Sequence, residues 1–294
     1  MFKMNGVVPP MITPFDEYGV LDEKNLVRLV EYLSPRVDGL FICGSYGCGP
    51  LMTMAERKRV AEIVKKAALP ETKIIVHTGT TNTKDTIELT RHAAEIGCDA
   101  ASAVGPYYFK YTEIELINYY SDVIKAVKGF PVYAYHNPKF QGYETSLKVM
   151  RTLKEVGLNG IKDATFDIMT FAVYARELMD ENFDIALGTE AMWVSAYVLG
   201  CRAYIPGIGN VFPELCKMMW QQSMDGKLEE SKITQFNINR LRDIMYIGRS
   251  TQLAIYAIAE IKGIMKAYPR APFVPATTEE KASISKALAN MELI

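Results

Sequence analysis

Residues 131–163 read PVYAYHNPKFQGYETSLKVMRTLKEVGLNGIKD. The segment opens on a short β-rich apolar run, Pro131–Tyr135. It continues through Leu147–Val156, where apolar residues recur with a period near 3.6, and closes on a second short run, Gly160–Lys162. Strand, amphipathic helix and strand in that order make a crossover unit, whose two strands lie parallel. Outward from it the pattern repeats. Val7–Pro10, Leu40–Cys43, Ile74–His77 and Ala100–Val104 are candidate strands upstream, and Ile185–Gly188 and Ala203–Ile205 downstream. Helical periodicity covers Asn25–Leu33, Met54–Lys66, Lys84–Ile96, Ile114–Val127 and Ile168–Met179 between them. Thr53 with Glu56, and Thr112 with Glu115, have capping-box spacing. Eight such units predict an α/β chain folded as a (β/α)8 TIM barrel. An open doubly wound sheet would call for a GxGxxG turn after an early strand, and Gly44-Ser45-Tyr46-Gly47-Cys48-Gly49 lacks that spacing. After Phe212 the pattern is helical throughout: Leu215–Met224, Leu228–Tyr246, Leu253–Ala267 and Thr278–Leu288, with Pro269, Pro272 and Pro275 interrupting before the last. The reading is a barrel over 1–226 that carries the site, with a helical C-terminal extension over 227–294 packed on it.

Composition narrows the function. The chain has 294 residues, 49% hydrophobic and 23% charged, so a large core is within reach. Lys plus Arg number 33 against 34 for Asp plus Glu, which leaves no basic field for nucleic acid. The five cysteines include no CxxC pair and are odd in number, which argues against a disulfide framework and for a reducing compartment. His77, His92 and His136 stand at no metal-ligand spacing, so no metal is expected. The Pro-rich N-terminus does not read as a signal peptide, and no apolar run reaches membrane-spanning length. These features predict a cytoplasmic protein acting on a small molecule, with no nucleic acid and no membrane as partner.

Lys162 ends the last strand of the opening segment. A lysine there either snorkels to solvent or is held as a nucleophile. A Schiff-base nucleophile must be neutral, and at its ordinary pKa only about one lysine in two thousand is neutral at pH 7. A barrel interior disfavours the charged form by desolvation, and a strand's C-terminal end keeps the amine reachable. Tyr135 ends the preceding strand and would face the same mouth. It is either a core aromatic or a proton carrier for the carbinolamine and the aldehyde oxygen. Gly44-Ser45-Tyr46-Gly47 turns at a strand end, where free N–H groups can hold a carboxylate and the Ser45 hydroxyl can relay a proton to Tyr135.

Taken together, the motifs resemble the dihydrodipicolinate synthase / N-acetylneuraminate lyase family of class I pyruvate-dependent aldolases. The likeness covers essentially the whole chain. It is carried by Val8-Pro9-Pro10 through Phe15, Gly44-Ser45-Tyr46-Gly47 with Pro50, Thr53, Glu56 and Arg57, Pro106-Tyr107-Tyr108, Tyr135-His136-Asn137-Pro138, Gly160-Ile161-Lys162-Asp163, and Asn210-Val211 with Pro213. The resemblance implies that Lys162 forms an imine with pyruvate, Tyr135 carries protons and Ser45 relays them. It further implies that the Ser45 and Tyr46 amides seat the pyruvate carboxylate, that Tyr107 is lent across a dimer interface and that Ile205 packs over the pyruvyl group. A homo-oligomer, a dimer of dimers, goes with it. No organic cofactor is implied, because the lysine imine is the electron sink.

Departures from the family pattern bear on the second substrate. The arginine that dihydrodipicolinate synthases carry two residues after the proline is Phe140 here, and adjacent Lys139 does not reproduce its forked contact. That argues against the lysine-biosynthetic reaction. The family's Glu after the glycine turn is Cys48, and Tyr46 brings a bulky ring into the turn. Thr189-Glu190 stands where sugar-acid lyases keep acids for substrate hydroxyls; Glu190 is either a polyol ligand or a solvated helix-start acid. Asn137 either positions a water or shapes the turn before Pro138. Gly207-Ile208-Gly209-Asn210 sits where many barrels bind phosphate, without Lys or Arg beside it in sequence. Cys43 and Cys48 flank the turn, as packing or as a reactive thiol. The reading is a lyase that reversibly cleaves a 2-oxo acid to pyruvate and an aldehyde, its substrate a 2-keto-3-deoxy sugar acid or sialic acid. Alternatives are a hydratase-aldolase on arylidene pyruvates, a non-catalytic 2-oxo-acid-binding relative, and a phosphate-binding barrel isomerase that rests on fold analogy alone.

Overall fold

The computed structural model describes residues 2–294. Eight parallel strands form the predicted barrel: β1 (Gly6–Val7), β2 (Gly39–Ile42), β3 (Lys73–His77), β4 (Ala100–Val104), β5 (Val132–His136), β6 (Gly160–Asp163), β7 (Asp184–Leu187) and β8 (Ala203–Tyr204). Their hydrogen-bonded order is β1-β8-β7-β6-β5-β4-β3-β2. The seam between β1 and β2 has no regular ladder, because Pro9 and Pro10 have no N–H to give it. It is closed by Asp38 N–H donating to the Val7 carbonyl (3.0 Å), Phe41 N–H to that of Pro9 (3.0 Å) and Met11 N–H to that of Phe41 (2.9 Å).

Around the strands lie α1 (Glu23–Leu33), α2 (Met54–Ala67), α3 (Thr83–Glu95), α4 (Glu113–Ala126), α5 (Pro138–Gln141), α6 (Leu147–Glu155), α7 (Ile168–Leu178), α8 (Trp193–Val198) and α9 (Pro213–Met224). Both predicted capping boxes start their helices. The Glu56 carboxylate accepts from Thr53 N–H at 2.8 Å at the head of α2, and that of Glu115 from Thr112 N–H at 2.7 Å at the head of α4. The C-terminal helices are α10 (Leu228–Met245), α11 (Thr251–Ile261) and α12 (Thr278–Asn290).

Two apolar clusters divide the core. The inner one fills the barrel lumen and includes Val8, Phe41, Ile75, Val104, Tyr133, Tyr135, Ala186 and Ile205. The outer one lies between strands and helices, and it runs without a break into Ile238, Leu241, Ile255, Ile258 and Leu288 of the C-terminal helices. The extension therefore shares the barrel's core and is fixed in place by it.

Candidate active site

The strand pairing sets the site. Val104, Tyr135, Lys162 and Ala186 lie side by side in register across β4, β5, β6 and β7. Alternation along each strand turns this row inward. Lys162 is 3% exposed, so it does not snorkel to solvent. Its Nζ lies 3.7 Å from the centre of the Phe41 ring and 3.9 Å from that of Tyr135. Burial alone pushes its pKa well below the ordinary lysine range. Two aromatic faces touch the amine without neutralising a charge on it, which is the setting a neutral nucleophile needs.

The Tyr135 hydroxyl accepts from the Asn137 side-chain amide at 3.1 Å and lies 3.4 Å from Ser45 Oγ. The second distance is a loose contact, of the kind that tightens when a reactant is bound. Burial raises the Tyr135 pKa, and the contacts to Ser45 and Asn137 oppose that rise. Asn137 shapes the turn as well: its side-chain oxygen accepts from Phe140 N–H (3.2 Å) and caps α5.

The turn after β2 is bracketed by two cysteines in the left-handed region, Cys43 at φ 58° and Cys48 at φ 55°. A non-glycine residue there costs about 1–3 kcal/mol, held by the surrounding contacts. Gly49 is obligatory, since a Cβ would come 1.8 Å from the Cys43 carbonyl oxygen. Among the described residues, the Ser45 and Tyr46 N–H groups donate to no backbone carbonyl. They remain available to an anion.

One cavity of about 410 Å³ is lined by Ser45, Tyr46, Tyr135, Asn137, Lys162 and Ile205 together with Phe140, Thr189 and Glu190. An adjoining apolar cavity of about 320 Å³ shares Ser45, Tyr135 and Phe140 and is also lined by Tyr107. Lys162, Tyr135, Ser45, Tyr46, Tyr107, Ile205, Asn137, Phe140, Thr189 and Glu190 thus each line one of two adjoining cavities, whereas Cys43 and Asn210 line neither. Phe140 stands 55% exposed at the mouth.

Two expectations, for Glu190 and Asn137, are corrected, and two further positions are placed. Glu190 is no solvated helix-start acid: it is 3% exposed, and α8 begins later, at Trp193. Its carboxylate accepts from Gly207 N–H at 2.8 Å and pairs with Arg242 Nε at 3.1 Å, so both oxygens are engaged within the chain. The Gly207 turn has no basic residue beside it in sequence, and Glu190 links it to Arg242 of α10. Tyr107 turns into its own chain's cavity, and the aromatic that projects outward is Tyr108, 88% exposed at φ 85°. Asn137 does not stand free to hold a water on its carbonyl side, since that oxygen is the α5 cap.

Several residues of the site were not found from the sequence. The Tyr46 hydroxyl donates to Thr251 Oγ1 at 2.6 Å, and Gln252 Nε2 donates to the Tyr46 carbonyl at 3.2 Å. Gly207 leaves room for the Tyr46 ring, since a Cβ there would come 2.3 Å from its hydroxyl oxygen. His77 lies in the lumen, its ring edge-on to Tyr135 at 5.7 Å. Burial, then the Arg57 cation, holds it far below the usual histidine range. Buried Arg57 donates to the His77 and Gly79 carbonyls at 2.6 and 3.1 Å and has no buried carboxylate beside it. Its place in the Glu56-Arg57 pair, at a buried helical position, was the one signal for it.

The profile of the dihydrodipicolinate synthetase family matches residues 3–291. The chain belongs to that family. It is 29% identical to 4-hydroxy-tetrahydrodipicolinate synthase of Methanothrix thermoacetophila over 99% of this chain and 97% of that protein. It is also 29% identical to the enzyme of the same name from Coxiella burnetii, over 97% of each. Among solved structures, CdNal of Clostridium difficile in complex with mannosamine matches at a TM-score of 0.92 and 27% identity, covering 98% of this chain and 99% of that one. YagE, a prophage protein from E. coli K12 in complex with pyruvate, matches at 0.94 and 25%, covering 99% of each. The sialic acid aldolase of Ruminococcus gnavus has the same fold, at a TM-score of 0.93 and 24% identity over the full length of both. Among the described residues no helix is long and apolar enough to cross a membrane.

Proposed function

We propose that this family member is a class I lyase that makes and breaks the carbon–carbon bond between pyruvate and an aldehyde through an imine on Lys162. The observation that carries the reading is the Lys162 amine, buried against Phe41 and Tyr135 where burial alone holds it below the ordinary lysine pKa. The neutral amine attacks the 2-oxo carbon. Tyr135 passes a proton to the carbinolamine oxygen, which leaves as water. In the cleavage direction Tyr135 takes the proton of the 4-hydroxyl, the C3–C4 bond breaks and its electron pair moves to the imine nitrogen. The aldehyde departs, the enamine is protonated at C3, and water releases pyruvate. Ser45 relays the proton, and the unengaged Ser45 and Tyr46 amides bind the pyruvate carboxylate. The imine is the electron sink, so the reading requires no organic cofactor and no metal. It includes a homo-oligomer, a dimer of dimers, supported by the exposed neighbours Tyr108 and Phe109. Phe140 at the mouth supports an aldehyde other than that of the synthases.

The test is borohydride trapping with pyruvate followed by peptide mass mapping. The expected result is an irreversible pyruvyl adduct confined to the Lys162 peptide and absent in Lys162→Ala. A protein that gains no such adduct, or gains it on other lysines alone, refutes the proposal.

A further inference from the structure

The N–H groups of Ser45 and Tyr46 can face one anion only if the peptide planes that carry them are held. A peptide unit is planar, so fixing its carbonyl also aims its N–H. The Gly44 carbonyl accepts from Gly49 N–H at 3.0 Å, which fixes the unit that carries the Ser45 N–H. The Ser45 carbonyl accepts from Cys48 N–H at 3.2 Å, which fixes the unit that carries the Tyr46 N–H. Both locks are local, and both act inside a turn whose ends, Cys43 and Cys48, are left-handed residues other than glycine. A strained turn of that kind keeps its shape only where contacts from outside hold it.

The hold comes from α11. Gln252 spends both hydrogens of its side-chain amide on the turn, one on the Tyr46 carbonyl at 3.2 Å and one on Cys48 Sγ at 3.1 Å. Thr251 Oγ1 takes the Tyr46 hydroxyl hydrogen at 2.6 Å, so that O–H serves as an anchor. The ring between the two ties fills the space that Gly207 leaves. Thr251 and Gln252 open α11 behind its Ser250 cap, whose hydroxyl accepts from Leu253 N–H at 3.2 Å, and the helix is buried from Leu253 to Ala259. The anchor is therefore part of the core. We infer that Thr251 and Gln252 are positioning residues for the 2-oxo acid: from the C-terminal extension they hold Tyr46 and Cys48, and through them set the angle at which the Ser45 and Tyr46 amides meet the pyruvate carboxylate. This inference rests on the lyase reading and deepens it. The two side chains act through the turn, so their loss falls on a carbonyl compound that carries the carboxylate more than on one that does not.

The experiment traps imines with borohydride over a range of concentrations of pyruvate and of methyl pyruvate, which has the same ketone and no carboxylate charge. The two half-saturating concentrations give a preference, and peptide mass mapping places the adduct on Lys162. The wild-type protein is expected to favour pyruvate. In Gln252→Met and in Thr251→Val, which keep side-chain size and remove the tie, that preference should fall by ~10-fold, the range of one charge-assisted hydrogen bond. Thr251→Ser keeps the hydroxyl and should retain it. Urea unfolding checks that each variant is folded under the assay conditions, and Thr251→Val, which loses a single hydrogen bond, carries the test if Gln252→Met is not. No preference for pyruvate in the wild type, an equal loss on both compounds in the folded variants, or a preference that the variants keep in full, overturns the inference. Adduct formation with neither compound in the wild type removes the lyase reading instead, and this inference with it.

Discussion

Replacing Lys162 by Met should make the protein more stable, and the gain should shrink as pH rises. Met keeps the apolar stem that lies against Phe41 and Tyr135 and removes the amine. Burial holds the amine's pKa in the folded chain well below the 10.5 it has when exposed. Between those two values the unfolded state carries one more proton than the folded state. Wild-type stability therefore climbs with pH by about 1.4 kcal/mol per unit, reaching its full value above 10.5. The Met variant lacks this slope. All other titrating groups are common to both proteins and cancel in the difference. While the folded amine is neutral, the variant's advantage should fall by about 2.7 kcal/mol from pH 7 to pH 9. Urea unfolding of both proteins at equal concentration and half-unit pH steps measures it, with the m-value checking that the same surface is exposed. Curves that run parallel across that interval would mean that the amine is charged in the folded barrel, and the nucleophile argument would fail with it.

Tyr135→Phe keeps the ring against Lys162 and His77 and removes the hydroxyl that Ser45 and Asn137 address. Turnover should drop by ~10²- to 10⁴-fold while a borohydride adduct still accumulates slowly; stopped assays and mass spectrometry read the two separately, and unchanged turnover would remove Tyr135 from proton transfer. Asp163, beside Lys162 on β6 and facing the helices, is buried with one carboxylate oxygen unpartnered, and burial raises its pKa from 3.8 to about 6. Its carboxyl thus contributes stability below pH 3.8 that is lost as pH rises through 6. Asp163→Asn should avoid that loss and be more stable at pH 7 by up to about 3 kcal/mol, seen in paired unfolding curves at pH 4 and 7. A variant less stable at both values would show that the ionised carboxylate is wanted where it is.

Much of the architecture was legible because it depends on local pattern. Eight apolar runs separated by helical periodicity leave few topologies open, and Thr53 with Glu56 or Thr112 with Glu115 mark helix starts by spacing alone. Lys162 stood out because lysine is rare at the end of a buried strand. What was not legible depends on contacts between distant positions. Nothing near Glu190 announces that Arg242 will neutralise it, and nothing near Tyr46 announces Thr251 or Gln252. Orientation was hidden too. Tyr107 and Tyr108 are identical in composition, and only the left-handed backbone at Tyr108 decides which ring turns inward. Short α5 escaped notice because four residues carry no period, although Asn137 before Pro138 is a cap followed by a favoured first helical residue.

The ties from Tyr46 to Thr251 and Gln252 span 205 and 206 positions, and that from Glu190 to Arg242 spans 52. During synthesis the eighth strand leaves the ribosome long before the residues that finish the catalytic mouth. A nascent chain released near Gly226 would lack both the helices that complete the outer apolar core and the side chains that brace the Tyr46 turn. The last segment to emerge thus finishes the packing of the barrel and the shape of its mouth in one step.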